Sequence, residues 1–171
     1  MITAASTTKR LKNPEREAWE TFGINFEPTH FVTLVYNPTT PGTTVVRMVP
    51  VRQVHRDLHR LHDYVDREVV GSHFDRRGIR SRRTRFIACI EHVDTNIHVH
   101  VLWHVPVFWG SEYERFEACL QRLWQKLIGR SASTDVQQIK DLEGAARYAM
   151  KYQLGASHGP EDLIVLSRDL A

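Results

Sequence analysis

His98-Val99-His100 places two imidazoles at alternate positions of a β-rich segment, residues 97–105. Side chains at i and i+2 of a strand share a face, so His98 and His100 point one way while Val99 and Val101 point the other. Two neutral imidazoles so placed can share one divalent ion. A third ligand must come from a neighbouring strand, and Glu91 is the candidate. Residues 85–92 read as that strand, joined to the next by the turn signal Asp94-Thr95-Asn96. An even-numbered loop centred between Asp94 and Thr95 pairs Glu91 with His98 across the hairpin, with Cβ atoms roughly 5 Å apart. A three-residue loop turns Glu91 to the opposite face unless a bulge intervenes. Two imidazoles and one carboxylate leave positions open for a phosphate and water, as a catalytic metal requires.

A second group, Tyr148-Ala149-Met150-Lys151-Tyr152, reads as helical. Tyr148 and Tyr152 are i, i+4 and Lys151 is i+3 from Tyr148, so the three share a helix face. A phenol with a pKa of about 10 is a weak nucleophile. A metal that draws charge from a phosphate and a nearby ammonium both ease its attack. Lys151 also suits the charge that develops on a leaving oxygen. The bland alternative, that the tyrosines are core aromatics, is softened by Ala145, Ala146, Ala149 and Met150, which can fill the buried face. Metal and tyrosine together supply what is needed to cut and rejoin a nucleic-acid strand.

Two further histidine features carry less. His55, His59 and His62 share one helix face, but Arg56 stands where an H-E-x-x-H motif has glutamate. They read as a solvated face, open to contact with DNA. His104 shares the parity of His98 and His100 and falls in the outer surroundings of the same site.

These groups need a scaffold, and its elements follow from local signals. Asn13-Pro14 starts a helix as N-cap and first residue. Residues 31–36 form a strand ended by Asn37-Pro38. Residues 52–70 fit a helix with Val54, Leu58, Leu61 and Val65 on one face. After the two strands of the histidine hairpin, Ser111 with Glu114 forms a capping box for a helix that runs to about Ile128 and stops at Gly129. Residues 135–139 form a short strand, Asp141 caps a last helix through Leu154, and residues 163–166 suit an edge strand. The β-α-β-β-α-β order predicts an α+β, ferredoxin-like antiparallel sheet with helices packed on it in two layers and a C-terminal catalytic helix.

At 171 residues with 42% hydrophobic side chains, the chain fits one domain with short extensions. Residues 1–25 read as an N-terminal helical extension and residues 26–171 as the catalytic domain. The net charge of +3 and pI near 9.0 are mild. Their distribution is not: Arg76, Arg77, Arg80, Arg82, Arg83 and Arg85 crowd one segment, residues 71–84 read as a loop, and this run suits a phosphate backbone. Such a run is not expected to pack as core, and Trp103 and Trp109 are expected to add stacking surface for single-stranded or hairpin DNA. Cys89 and Cys119 lack C-x-x-C spacing and read as small buried residues of a reducing compartment. No apolar run is long enough to span a membrane and the N-terminus lacks a signal-peptide core, so a cytoplasmic location is expected.

The His98-Val99-His100 triplet resembles the metal-binding motif of the HUH endonucleases, and Tyr148-Ala149-Met150-Lys151-Tyr152 resembles their tyrosine motif. The two tyrosines are spaced as in initiators of rolling-circle replication in single-stranded DNA phages and related plasmids. Phe31-Val32-Thr33-Leu34-Val35-Tyr36-Asn37 is similar to the first conserved strand of those Rep proteins. The resemblance spans about residues 26–155. It implies a domain that nicks one DNA strand at an origin with Mg²⁺ or Mn²⁺, links tyrosine to the 5′ phosphate and frees a 3′ hydroxyl. On that resemblance His98 and His100 are ligands with Glu91 the third, Tyr148 is the nucleophile, Lys151 its helper and Tyr152 a second nucleophile for rejoining. The chain departs from the family at Gln153-Leu154-Gly155, where a further basic residue is common. No helicase domain is read in these 171 residues, so unwinding is expected to need a host helicase. Transposases and mobilisation relaxases share this chemistry, and a DNA-binding regulator without activity is the alternative of a different class.

Overall fold

The computed structural model describes residues 14–37, 48–108, 110–150 and 163–168. In chain order these form α1 (Pro14–Asn25), β1 (His30–Val35), α2 (Val51–Val69), a 3-10 segment at Arg77–Arg82, β2 (Arg85–Glu91), β3 (His98–His104), α3 (Glu112–Ile128), β4 (Ser133–Gln138), α4 (Leu142–Ala149) and β5 (Ile164–Leu166). The strands make one antiparallel sheet in the order β4-β1-β3-β2-β5. This is the expected α+β, ferredoxin-like arrangement, with the tail added as an edge strand beside β2. Among the described residues no helix is long and apolar enough to cross a membrane.

Alternation along the strands divides the core between the two faces of the sheet. Val32, Leu34, Phe86, Ala88, Ile90, Val99, Val101 and Trp103 meet the apolar stripes of α2 and α3. Val54, Leu58, Leu61 and Val65 of α2 are all fully buried there, as their helical spacing requires. Ile87, Cys89 and Leu102 face the other way, against Phe26 and the α4 residues Ala146 and Ala149 with Met150. The sheet therefore lies between two helical layers, not the expected two-layer stack. The second layer is possible because its contacts are small: a Cβ on Gly23 of α1 would stand 3.1 Å from Leu102 Cδ1 and 3.4 Å from Ala146 Cβ. The segment read as an N-terminal extension thus supplies the helix that braces α4.

Helix ends follow local chemistry in part. Asp141 caps α4, its carboxylate accepting from Gly144 N at 3.0 Å. Gly129 ends α3 with φ 129°, a conformation that favours glycine. The capping box at Ser111 does not form. Ser111 sits at ψ 9°, outside the extended region in which an N-cap hydroxyl reaches the first turn, and it makes no side-chain cap bond. The last helix is described to Ala149, with Met150 at its C-cap; the part expected beyond lies outside the described residues.

Three surface expectations are corrected. His62 is buried on α2, its Nε2–H donating to the Thr84 carbonyl at 2.7 Å, so it is withdrawn from solvent, while His55 and His59 are half-buried. Arg83 is also buried: Nε donates to Asp66 at 2.6 Å and Nη2 to Asp63 at 3.4 Å. The fully buried Asp66 carboxylate accepts as well from Thr84 N and Oγ1. An arginine can enter a core when a buried carboxylate takes its charge, and Asp66 does so here. Trp103 is core, packed on Phe86 and Phe116, and offers no stacking face; Trp109 lies outside the described residues.

Candidate metal centre

The β2–β3 register decides the site. Glu91 pairs with His98 and Cys89 with His100, so the even-numbered loop is the one the chain adopts. Glu91, His98 and His100 share a sheet face at the loop end of the hairpin. Glu91 Oε2 lies 3.3 Å from His98 Nε2 and 3.3 Å from His100 Nε2, and the three ligand atoms fall within 4.8 Å of one another. Ligands about 2.1 Å from a common ion at tetrahedral or octahedral angles are separated by roughly 3.0–3.5 Å. The two Glu91–imidazole spacings fit that geometry.

The surroundings hold both rings in one orientation. His98 Nδ1–H donates to the Asn96 carbonyl at 3.1 Å, which leaves Nε2 of the neutral ring with its lone pair. His100 Nδ1 is 3.1 Å from Thr33 Oγ1, a hydroxyl that accepts from Nδ1–H when Nε2 is turned to an ion. His100 Nε2 is buried and makes no well-aligned hydrogen bond, with Glu91 Oε2 3.3 Å away, and an ion held between them would satisfy both atoms. Burial grades outward: the side chains of Glu91 and His100 are 1% and 5% exposed, that of His98 22%. The open side of the site lies at His98. His92, held at φ 55°, stacks its ring on His98 with centroids 4.8 Å apart. Cys89 is the cross-strand neighbour of His100, but burial, with Glu91's charge adding to it, pushes its thiol far up.

Tyr148 closes one side. Its ring is edge-to-face with His100 at 5.1 Å and with Phe31 at 5.7 Å, and Phe31 stacks on His100 at 5.3 Å. Tyr148 is 48% exposed. Beside it an open groove of about 880 Å³ extends over β1 to the β4 edge.

The structure thus brings together Glu91, His98, His100 and Tyr148. Lys151 and Tyr152 lie outside the described residues. His104 is not part of the site: it sits at the far end of β3, where Nδ1–H donates to the Glu27 carbonyl. The arginine run is also remote, since Arg85 begins β2 and Glu91 ends it, about 20 Å apart along the strand. Arg76, Arg80 and Arg82 are exposed and Arg85 half-buried over Phe26, whereas Arg83 is withdrawn; of the Arg77 side chain nothing is described. Sequence reasoning missed Thr33, Phe31 and His92. The alternation of Phe31 and Thr33 along β1 signals one shared face, but only the β1–β3 register, Thr33 opposite His100, ties them to the site.

No family model matches the chain, and no curated protein matches it. Among solved structures it is similar to the hypothetical protein ORF119 from Sulfolobus islandicus rod-shaped virus 1, with a TM-score of 0.45 and 11% sequence identity, covering 85% of this chain and 99% of that one.

Proposed function

We propose that the chain is a metal-dependent nicking and joining enzyme for single-stranded DNA, of the kind that initiates rolling-circle replication. The observation that carries this reading is the contact of Tyr148 with His100, a phenol beside a three-ligand group that could hold a metal ion. Mg²⁺ or Mn²⁺ held by Glu91, His98 and His100 would draw charge from a phosphate oxygen and orient the phosphate. Tyr148 Oη attacks phosphorus as the P–O3′ bond breaks; the phenol loses its proton and the departing 3′ oxygen gains one. The product is a 5′-phosphotyrosine and a free 3′ hydroxyl that can prime synthesis. Lys151, three residues on, would ease loss of the phenolic proton, and Tyr152 would serve the return step. The exposed arginines would hold flanking DNA, and a host helicase would unwind it.

The test is a denaturing gel of the protein with labelled single-stranded and hairpin oligonucleotides from its own replicon and Mn²⁺. A covalent adduct that vanishes with EDTA and with Tyr148→Phe is expected. An adduct that survives Tyr148→Phe and is lost in Tyr152→Phe keeps the chemistry and moves the nucleophile. Tight binding with no adduct on any oligonucleotide replaces the enzyme with a DNA-binding regulator.

A further inference from the structure

The groove beside Tyr148 has an acidic lining. Its floor is formed by Phe31 and Thr33 of β1 with Asp135 and Gln137 of the edge strand β4. The register sets Thr33 opposite Asp135 and Phe31 opposite Gln137, so these four side chains lie on the face of the sheet that carries His100. Ala145 and Tyr148 of α4 form the wall. In a chain of net charge +3, this groove is lined by Asp135, Asp141 and Glu117 against one cation, Lys140. A phosphate backbone is repelled from such a lining. A neutral, planar group with hydrogen-bond donors on its edge is not. The aromatic rings of Phe31 and Tyr148 offer apolar surface to such a group, and the carboxylate at the floor offers acceptors.

Asp135 is aimed by its neighbour. Gln137 Nε2 donates to Asp135 Oδ2 at 2.7 Å, which pins the carboxylate. Among the described residues Oδ1 takes no bond. The carboxylate therefore presents Oδ1 as an acceptor while Oδ2 is held by Gln137. Cytosine N4 and adenine N6 are amino donors on a base edge, while thymine carries carbonyl oxygen at the corresponding place.

Resting on the nicking function proposed above, we propose that this groove takes an unpaired nucleobase next to the scissile phosphate, and that Asp135 selects bases bearing an exocyclic amino group over thymine. The phosphate path then follows the metal centre and the base turns into the groove. Sequence preference arises from an edge strand that contributes no ligand to the metal.

The experiment reads binding without chemistry. Fluorescence polarisation is measured in EDTA with labelled short oligo-dC, oligo-dA and oligo-dT, for the full chain and for Asp135→Asn. Asp135 is exposed, so its replacement leaves the fold in place, and circular dichroism checks this. The wild type is expected to bind oligo-dC and oligo-dA about 10-fold more tightly than oligo-dT, the scale of one good base-edge contact. Asp135→Asn replaces an acceptor by a donor, so the preference is expected to shrink to about 2-fold or less, or to invert, with oligo-dT affinity kept or raised. Equal binding of all three by the wild type overturns the proposal. So does an equal loss for all three in the variant, or no binding to any. Because binding needs neither the metal nor attack by the Tyr148 hydroxyl, an absence of nicking does not affect this outcome. A protein that nicks but has an unchanged base preference in Asp135→Asn loses the groove proposal alone.

Discussion

His98 and His100 each have Nδ1 engaged, by the Asn96 carbonyl and by Thr33, so that both Nε2 atoms turn toward Glu91 without the rings having to reorganise. A ligand set oriented in advance binds its ion at a lower entropic cost. Mn²⁺ at about 100 times its dissociation constant should stabilise the chain by about 2.7 kcal/mol, a rise in melting temperature of about 5–10 °C for a chain of this size. Differential scanning fluorimetry should show that rise in the wild type and none in His98→Ala or His100→Ala. Thr33→Val should bind the ion about 10- to 100-fold more weakly, the usual loss when a ligand's hydrogen-bond partner is removed. A Thr33→Val response equal to wild type would show that the Thr33 hydroxyl does not orient His100. In EDTA, Glu91→Gln should melt no lower than wild type, because it removes a carboxylate that the fold keeps buried. His98 and His100 were legible because strand alternation is a local rule. Glu91 was legible only on the condition of an even-numbered loop. Thr33 was not, because the pairing that carries it to His100 joins residues far apart in sequence.

At the scale of elements, order and faces were legible wherever hydrophobic period decides them, as on α2, where Val54, Leu58, Leu61 and Val65 recur at helical spacing. What escaped was set by distant partners. The inward turn of His62 depends on the Thr84 carbonyl, and the second helical layer depends on the close approach of α1 at Gly23. That approach makes Gly23 a control on Tyr148. Gly23→Val should cost about 1–3 kcal/mol, the usual penalty of overfilling a packed seam, and should shift α4 relative to β3. Urea unfolding should report the loss, and nicking should fall further than metal binding, because α4 carries Tyr148 while the ligands belong to β2 and β3. His30, buried, and His59, half-buried, make stability depend on pH. Burial lowers the pKa of His30, against the opposing pull of Glu117, and burial lowers that of His59. A histidine whose folded pKa lies below the ordinary 6.5 leaves the unfolded chain binding protons first. Its contribution is fully present above about 6.5 and is lost as pH falls toward the folded value. Asp57, raised by burial, has the opposite sign, but only at lower pH, between the ordinary carboxylate value and its own. The urea midpoint should therefore fall between pH 7.5 and pH 6, and His59→Asn should flatten that slope. A midpoint that rises on acidification across this interval would falsify the assignment.

For the molecule as a whole, the separation of charge is the property that bears on function. The arginine run and the metal centre sit at opposite ends of β2, about 20 Å apart, so the run cannot touch the phosphate being cut and can only hold DNA at a distance. Binding and chemistry should then come apart under mutation. Replacing Arg76, Arg80 and Arg82 together by glutamine should weaken single-strand binding and flatten its salt dependence, by about 0.7 in the log–log slope for each phosphate no longer neutralised and so by about 2 in total. The rate of adduct formation at saturating DNA should stay within about 2-fold of wild type, since interactions equal in ground and transition state lower KM without changing kcat. Arg83→Gln should behave differently although it lies in the same run. It strips the partner from the buried Asp66 carboxylate, and breaking such a pair costs about 3–5 kcal/mol. Arg83→Gln should therefore lower the unfolding midpoint while the salt slope of the surviving folded protein stays as in wild type. If the triple variant keeps the wild-type slope, the run makes no phosphate contact and its charge belongs to the fold alone. If Arg83→Gln flattens the slope without loss of stability, the Asp66 pair opens to DNA. Measuring both variants on one oligonucleotide over one salt range separates an arginine that binds from an arginine that builds.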